Sequence, residues 1–121
     1  MSRPQPPAPA KLVISLIMRE KGLLPQLGVA LEELFGPLEM VSRWLAFDFT
    51  AYYEAELGRP LVRRMLTFKT PVAQDRLAEI KLAANDLEAR HLIDGRRRVN
   101  IDPGLLLPAR FVLASGKDFA H

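Results

Sequence analysis

Lys11–Met18 reads KLVISLIM, and the fold turns on how that stretch is taken. It is strand-sized, carries β-branched residues and is broken in its apolarity only by Ser15. A short, almost continuous apolar run of this kind reads as a central strand covered on both faces. The rest of the chain must then supply neighbouring strands and the layers that cover it.

Downstream, Leu24, Leu27, Leu31, Leu34 and Phe35 recur at helical spacing, and Gly36-Pro37 ends that helix. Leu38 to Thr50 (LEMVSRWLAFDFT) alternates as one strand, with Val41, Leu45, Phe47 and Phe49 to one side and Ser42, Trp44, Asp48 and Thr50 to the other. Ala51 to Gly58 is a short turn or helical link. Leu61 to Lys69 alternates again, with Val62, Leu66 and Phe68 inward and Arg63, Thr67 and Lys69 outward. Thr70-Pro71 resembles an N-cap followed by a first-turn proline. A helix is expected from there to about His91, burying Ala73, Leu77, Ile80, Ala84 and Leu87. Asp94-Gly95 makes a turn. Arg97 to Asp102 forms a strand with Val99 and Ile101 inward, and Pro103-Gly104 turns the chain sharply. Leu105 to Ser115 favours one further strand through Phe111, Val112 and Leu113, with Pro108 opposing a long helix.

The resulting class is α+β. The order β-α-β-β-α-β is the ferredoxin-like or split βαβ order, with an additional C-terminal strand, a mixed or antiparallel sheet and two helices on one face. Outward strand positions then place Asp48, Thr50, Arg63, Thr67, Arg98, Asn100 and Asp102 on the other, open face. Residues 1–10 form a proline-rich leader, disordered or polyproline-like. Residues 11–121 form a single domain.

Composition narrows the setting. With 49% hydrophobic and 26% charged residues the chain is ordinary for a globular protein. The absence of cysteine excludes disulfides, thiolate metal sites and a cysteine nucleophile, and fits a reducing cytoplasm. No apolar run reaches bilayer-spanning length, so no membrane partner is expected. The net charge of +3 is uneven: residues 1–60 carry six basic and seven acidic side chains, and residues 61–121 carry eleven and seven. That bias is closer to an ordinary charged surface than to a nucleic-acid footprint.

Five segments resemble a known family: FDFTAYYEAELG (Phe47–Gly58), LVRRMLTF (Leu61–Phe68), EIKLAANDLE (Glu79–Glu88), RRVNIDPG (Arg97–Gly104) and LASGKDFAH (Leu113–His121). In this order they are similar to the prokaryotic domain of unknown function 4416 family, from about Lys11 to His121. Gly116 stands where members tend to have threonine. Members continue past the position of His121, so the resemblance implies that the chain is the N-terminal two-thirds of such a protein and C-terminally incomplete. It implies a fold and a cytoplasmic setting, and no particular activity.

Four constellations carry the candidate chemistry. Asp48, Thr50, Tyr52, Tyr53 and Glu54 set carboxylates beside hydroxyls at a strand end, in a spacing that matches no metal loop; capping and rim packing explain them slightly better. Arg63-Arg64 and Arg96-Arg97-Arg98 offer guanidinium forks for phosphate or carboxylate, with Arg63 and Arg98 expected on neighbouring strands; solvated edge charges are the plain alternative. Lys81, Asn85 and Glu88 lie at i, i+4 and i+7 along one strip of the second helix, as a lysine–carboxylate site or an intrahelical pair. Asn100 and Asp102 with Lys117, Asp118 and His121 gather polar groups around the Asp102-Pro103-Gly104 turn. His91 is a partly buried packing residue. No Ser-His-Asp or Cys-His order and no phosphate-wrapping glycine loop exists in the sequence.

The expected function is a cytoplasmic small-ligand protein, or an enzyme, for an anionic or nucleotide-like compound. Its expected ligand-binding residues are Asp48, Arg63, Lys81, Asn85, Arg98, Asn100, Asp102 and Lys117. No metal ligands are identified, and no cofactor or catalytic residue is assigned. The alternatives are an interaction protein that dimerises through an exposed sheet edge and, less favoured, a nucleic-acid-binding module.

Overall fold

The computed structural model describes residues 8–47 and 51–107, and the backbone of residues 111–113. Asp48, Phe49, Thr50, Lys117, Asp118 and His121 lie outside them. The elements in chain order are β1 (Lys11–Met18), α1 (Leu24–Phe35), β2 (Leu38–Val41), β3 (Leu45–Phe47), α2 (Glu54–Leu57), β4 (Leu61–Phe68), α3 (Leu77–Ala89), β5 (Val99–Leu106) and β6 (Phe111–Leu113). Short 3-10 turns at Lys21–Leu23 and Gln74–Arg76 lead into α1 and α3. The class is α+β, built on one antiparallel sheet ordered β2-β4-β1-β5-β6, with β3 also on β4.

KLVISLIM is the central strand. β1 pairs with β5 along its whole length, from Lys11↔Leu106 to Met18↔Val99, and with β4 from Val13↔Thr67 to Met18↔Val62. Leu12, Ile14, Leu16 and Met18 face the main core, with Leu66 and Phe68 of β4, Val99, Ile101 and Leu105 of β5, Leu27 and Leu31 of α1, and Ile80, Ala84 and Leu87 of α3. Both long helices therefore cover one face. On the other face Ile17, Phe47, Leu57 and Leu61 form a smaller cluster beneath α2, with Tyr53 packed against it. The chain is already engaged at Ala10, which is buried and exchanges backbone hydrogen bonds of 2.8 and 2.9 Å with Val72.

The structure differs from the sequence reading at three places. Leu38–Thr50 is not one strand. From Val41 to Leu45 is four residues, while their partners on β4, Leu66 and Arg63, are three apart. The extra residue is a bulge, and a one-residue slip sends every later side chain to the opposite face. Trp44 therefore packs against the helix-side core, and Phe47 joins the small cluster on the other side. Ser42 holds the break: its N–H donates to Met65 O at 2.8 Å, and its Oγ accepts from Met65 N at 2.9 Å.

The second difference is the start of α3. Thr70-Pro71 is no N-cap, because Val72 is committed to Ala10; Ala73 precedes the 3-10 turn without a side-chain cap, and α3 ends at Ala89 rather than His91.

The third is Pro103-Gly104, which lies inside β5 instead of turning the chain. Pro103 sits opposite Ile14. Backbone direction alternates along a strand, and Ile101, two residues earlier, turns its N–H and C=O away from β1 toward α3 side chains. Pro103 shares that outward parity, so its missing N–H costs no bond to β1.

Ile14 and Ser15 provide a contrast within one strand. Ile14→Ala is expected to lower stability by about 2–5 kcal/mol, the cost of a cavity in a packed core. Ser15 Oγ is buried without a hydrogen-bond partner, so Ser15→Ala should cost nothing or stabilise. Urea unfolding of both variants measures the contrast, and a large loss in Ser15→Ala would contradict this placement.

Candidate functional site

The outer edge of β5 organises the polar side chains. β6 pairs with Gly104, Leu105 and Leu106, and among the described residues no strand pairs with the backbone at Ile101 on that side. Two side chains of α3 take its place. Glu88 Oε2 accepts from Ile101 N at 2.7 Å, and Lys81 Nζ donates to Ile101 O at 3.4 Å. The i, i+7 spacing of Lys81 and Glu88 on α3 thus serves to clasp a strand edge. Asn85, between them, is exposed and stands outside the cluster.

From that clasp a network spreads. Lys81 Nζ pairs with Asp102 Oδ1 at 3.2 Å, and Asn100 Nδ2 donates to Asp102 Oδ2 at 2.9 Å. Asn100 Oδ1 accepts from Arg97 at 2.8 Å. Arg97 is the hub. Its guanidinium also reaches Glu88 Oε2 at 3.2 Å and Glu56 Oε1 at 2.8 Å, while its backbone N–H donates to Glu56 Oε2 at 3.0 Å. One arginine thereby ties α2, α3 and β5 together.

The carboxylates respond in opposite directions. Burial pushes Glu88 above the ordinary carboxylate range, opposed by the Ile101 N–H and by Arg97 and Lys81. Hydrogen bonds from Arg97 hold Glu56 below that range, and in turn raise Arg97. Arg98 likewise lowers Glu20, which accepts from its guanidinium at 2.7 Å. Burial, with Asp102 nearby, raises Tyr53. Burial, with Arg98 and Arg90, lowers His91, which lies just beyond α3, half-buried as its packing role required.

Beside this network opens a cleft of about 360 Å³. Its walls are α2 with Gly58, the Arg19-Glu20 exit from β1, and the segment from Ile93 to Arg98. That segment begins with a tight hairpin, as Asp94-Gly95 implies. Ile93 and Arg96 exchange two 2.9 Å backbone bonds, with φ of 53° at Asp94 and 74° at Gly95. The hairpin sets Arg96 on the rim. Gly58 takes φ 87°, and a Cβ there would come within 3.0 Å of Arg19 Cδ, so glycine allows this close approach in the wall of the cleft.

Four arginines (19, 96, 97 and 98) face four carboxylates (Glu20, Glu54, Glu56 and Asp94) around the cleft. Most are mutually engaged. Among the described residues Arg96 makes no ion pair, Arg19 reaches Glu20 only at 3.4 Å, and Arg98 keeps its Nε–H buried and unbonded. Such donors at the wall of a concave, polar cleft suit a small anion.

Of the sequence candidates, the structure gathers Lys81, Asn100 and Asp102 in the network and puts Arg98 in the adjacent cleft. Arg63 and Arg98 do not form the expected neighbouring-strand cradle. β1 runs between β4 and β5, Arg63 stacks over Phe47 at 4.6 Å, and Arg98 bonds Glu20. Asp48 and Lys117 are outside the described residues. Glu20 and Glu56 were not singled out for the site, because their arginine partners are 78 and 41 residues away and no local spacing marks them. Among the described residues, no group of three or more histidine or acidic side chains is placed to hold a metal ion. None of the described helices is long and apolar enough to cross a membrane.

An α+β sheet with an arginine-rim cleft is the class of structure in hand. The model of the family described as Domain of unknown function (DUF4416) matches residues 8–121, and the chain belongs to that family. No curated protein and no solved structure matches it.

Arg97→Ala should lower stability by about 3 kcal/mol, because it strands the buried Glu88 carboxylate. The two hub carboxylates should also differ in pH dependence. Glu56 has a depressed folded pKa, so its contribution is present above about pH 4.5 and is lost as pH falls below it. Glu88 has a raised folded pKa, so the wild type gains on Glu88→Gln as pH falls from neutral toward 4.5. Stability curves of wild type, Glu56→Gln and Glu88→Gln from pH 4 to 7 test this, and parallel curves would refute the assignment.

Proposed function

We propose that the protein binds a small anionic compound, such as a phosphate ester or carboxylate, in the cleft between α2 and the Ile93–Arg98 segment. The observation that carries this is that Arg96, which makes no ion pair among the described residues, lines one concave cleft together with Arg98. The Arg97 hub beneath them holds the backbone that presents both. A nucleotide-like ligand fits this chemistry through its phosphate, and catalytic turnover is not required by it. A cytoplasmic setting belongs to the same reading.

The strand order β2-β4-β1-β5, with α1 and α3 on one face, supports describing the domain as ferredoxin-like. Dimerisation by edge pairing has less support. The β2 edge carries a register shift between Leu38 and Met40, a device that disfavours strand addition.

Thermal-shift titrations at constant ionic strength with phosphate, nucleoside monophosphates and dicarboxylates test the reading. At least one class should raise the melting temperature saturably. Arg98→Ala and Arg96→Ala should each weaken it by about tenfold, the value of one charge-assisted bond. No stabilising anion, or undiminished binding in both variants, would sink the proposal.

A further inference from the structure

A second group of cations lies apart from the cleft. Eight of the described basic residues, Lys11, Arg19, Arg59, Arg76, Lys81, Arg90, Arg97 and Arg98, form ion pairs with carboxylates. Of the remainder, Lys21 and Arg64 gather at one place, around Trp44. Arg64 Cζ lies 4.7 Å from the Trp44 ring centroid and Lys21 Nζ 5.5 Å from it.

The β2–β3 bulge creates this arrangement. By shifting the parity it turns Trp44 toward the helix-covered face, the face that also carries Arg64, which sits opposite Leu16. Arg64 is half-buried, and its Nε–H is buried without a hydrogen bond. Withdrawing a guanidinium from water without a counter-charge is unfavourable. The indole face offsets part of that cost and orients the group. It supplies no oxygen for the N–H edge.

We infer that Lys21, Trp44 and Arg64 form an oligophosphate-binding site, independent of the cleft. Two cations against one ring, neither ion-paired among the described residues, exceed what a single carboxylate would satisfy. They match a ligand with several anionic oxygens along a short span. With Arg64 Cζ over the Trp44 ring, the terminal guanidinium nitrogens, not the buried Nε–H, are left for the phosphate oxygens. A free oligophosphate and the backbone of a single-stranded nucleic acid present this same chemistry.

Trp44 is the single tryptophan of the chain, so its fluorescence reports on this site directly. Inorganic tripolyphosphate, titrated into the whole protein at constant ionic strength, should change Trp44 emission saturably. Arg64→Gln should weaken the apparent affinity by about tenfold or more, and Lys21→Gln, an exposed change that leaves the core untouched, by a smaller factor. The cleft variant Arg96→Ala should titrate as the wild type does. A short oligothymidylate in a parallel titration separates the sources. Tripolyphosphate alone acting assigns a free oligophosphate, and both acting, with a steep salt dependence, assigns a nucleic-acid backbone. The inference is overturned by no saturable change with either probe, by unaltered affinity in both Arg64→Gln and Lys21→Gln, or by equal weakening in Arg96→Ala. Anion binding in the cleft stands or falls separately, on the thermal-shift titrations of Arg98→Ala and Arg96→Ala.

Discussion

The hydrogen bonding of β1 to strands on both sides is the constraint from which the remaining structure follows. A strand paired along both edges and apolar on both faces can sit only at the centre of a sheet with a layer on each side. The helices α1 and α3 meet the demand on one face, through Leu27, Leu31, Ile80, Ala84 and Leu87. On the other face the demand is met over Ile17 by the short α2 and by Phe47, Leu57 and Leu61. The position of α2 in turn brings Glu56 within reach of Arg97, and Gly58 against Arg19. The cleft is therefore a by-product of how the second face of the sheet is covered.

The outer edge of β5 is the second constraint. A strand edge must be paired, covered or otherwise satisfied. Leu105 is paired by β6, Pro103 has no N–H to satisfy, and Ile101 is met by Glu88 and Lys81. Using a carboxylate here buries Glu88, and a buried carboxylate calls for a cation. Arg97 answers that need and joins it to Glu56. Conformational demand and charge compensation are thus solved by the same side chains, and Arg98, next to the hub, is presented toward the cleft.

Much of the fold was legible in order along the chain. β1, α1 and β4 follow from apolar spacing, and the Asp94-Gly95 hairpin from turn chemistry. The site was legible only in part. Lys81, Asn100 and Asp102 could be named because polar residues at regular spacing stand out, yet their grouping depended on the register of α3 against β5. Glu20, Glu56 and Arg19 carry no local signature. They matter through contacts across the chain, which spacing does not encode. Trp44 and Phe47 were assigned to the wrong faces because one bulged residue reverses a period-2 pattern, and nothing between Val41 and Leu45 announces it.

The amino-acid sequence alone settled the identity of the central strand, the α+β class, the resemblance to the family and the absence of cysteine chemistry, because these depend on composition and local periodicity. Tertiary structure alone decided that Pro103 lies within a strand, that Arg63 and Arg98 are separated by β1, and that Glu56, Glu88 and Arg97 form one network. Those outcomes depend on strand order, on register and on which side chains meet the outer edge of β5, and each of these is set by packing between elements distant in the chain.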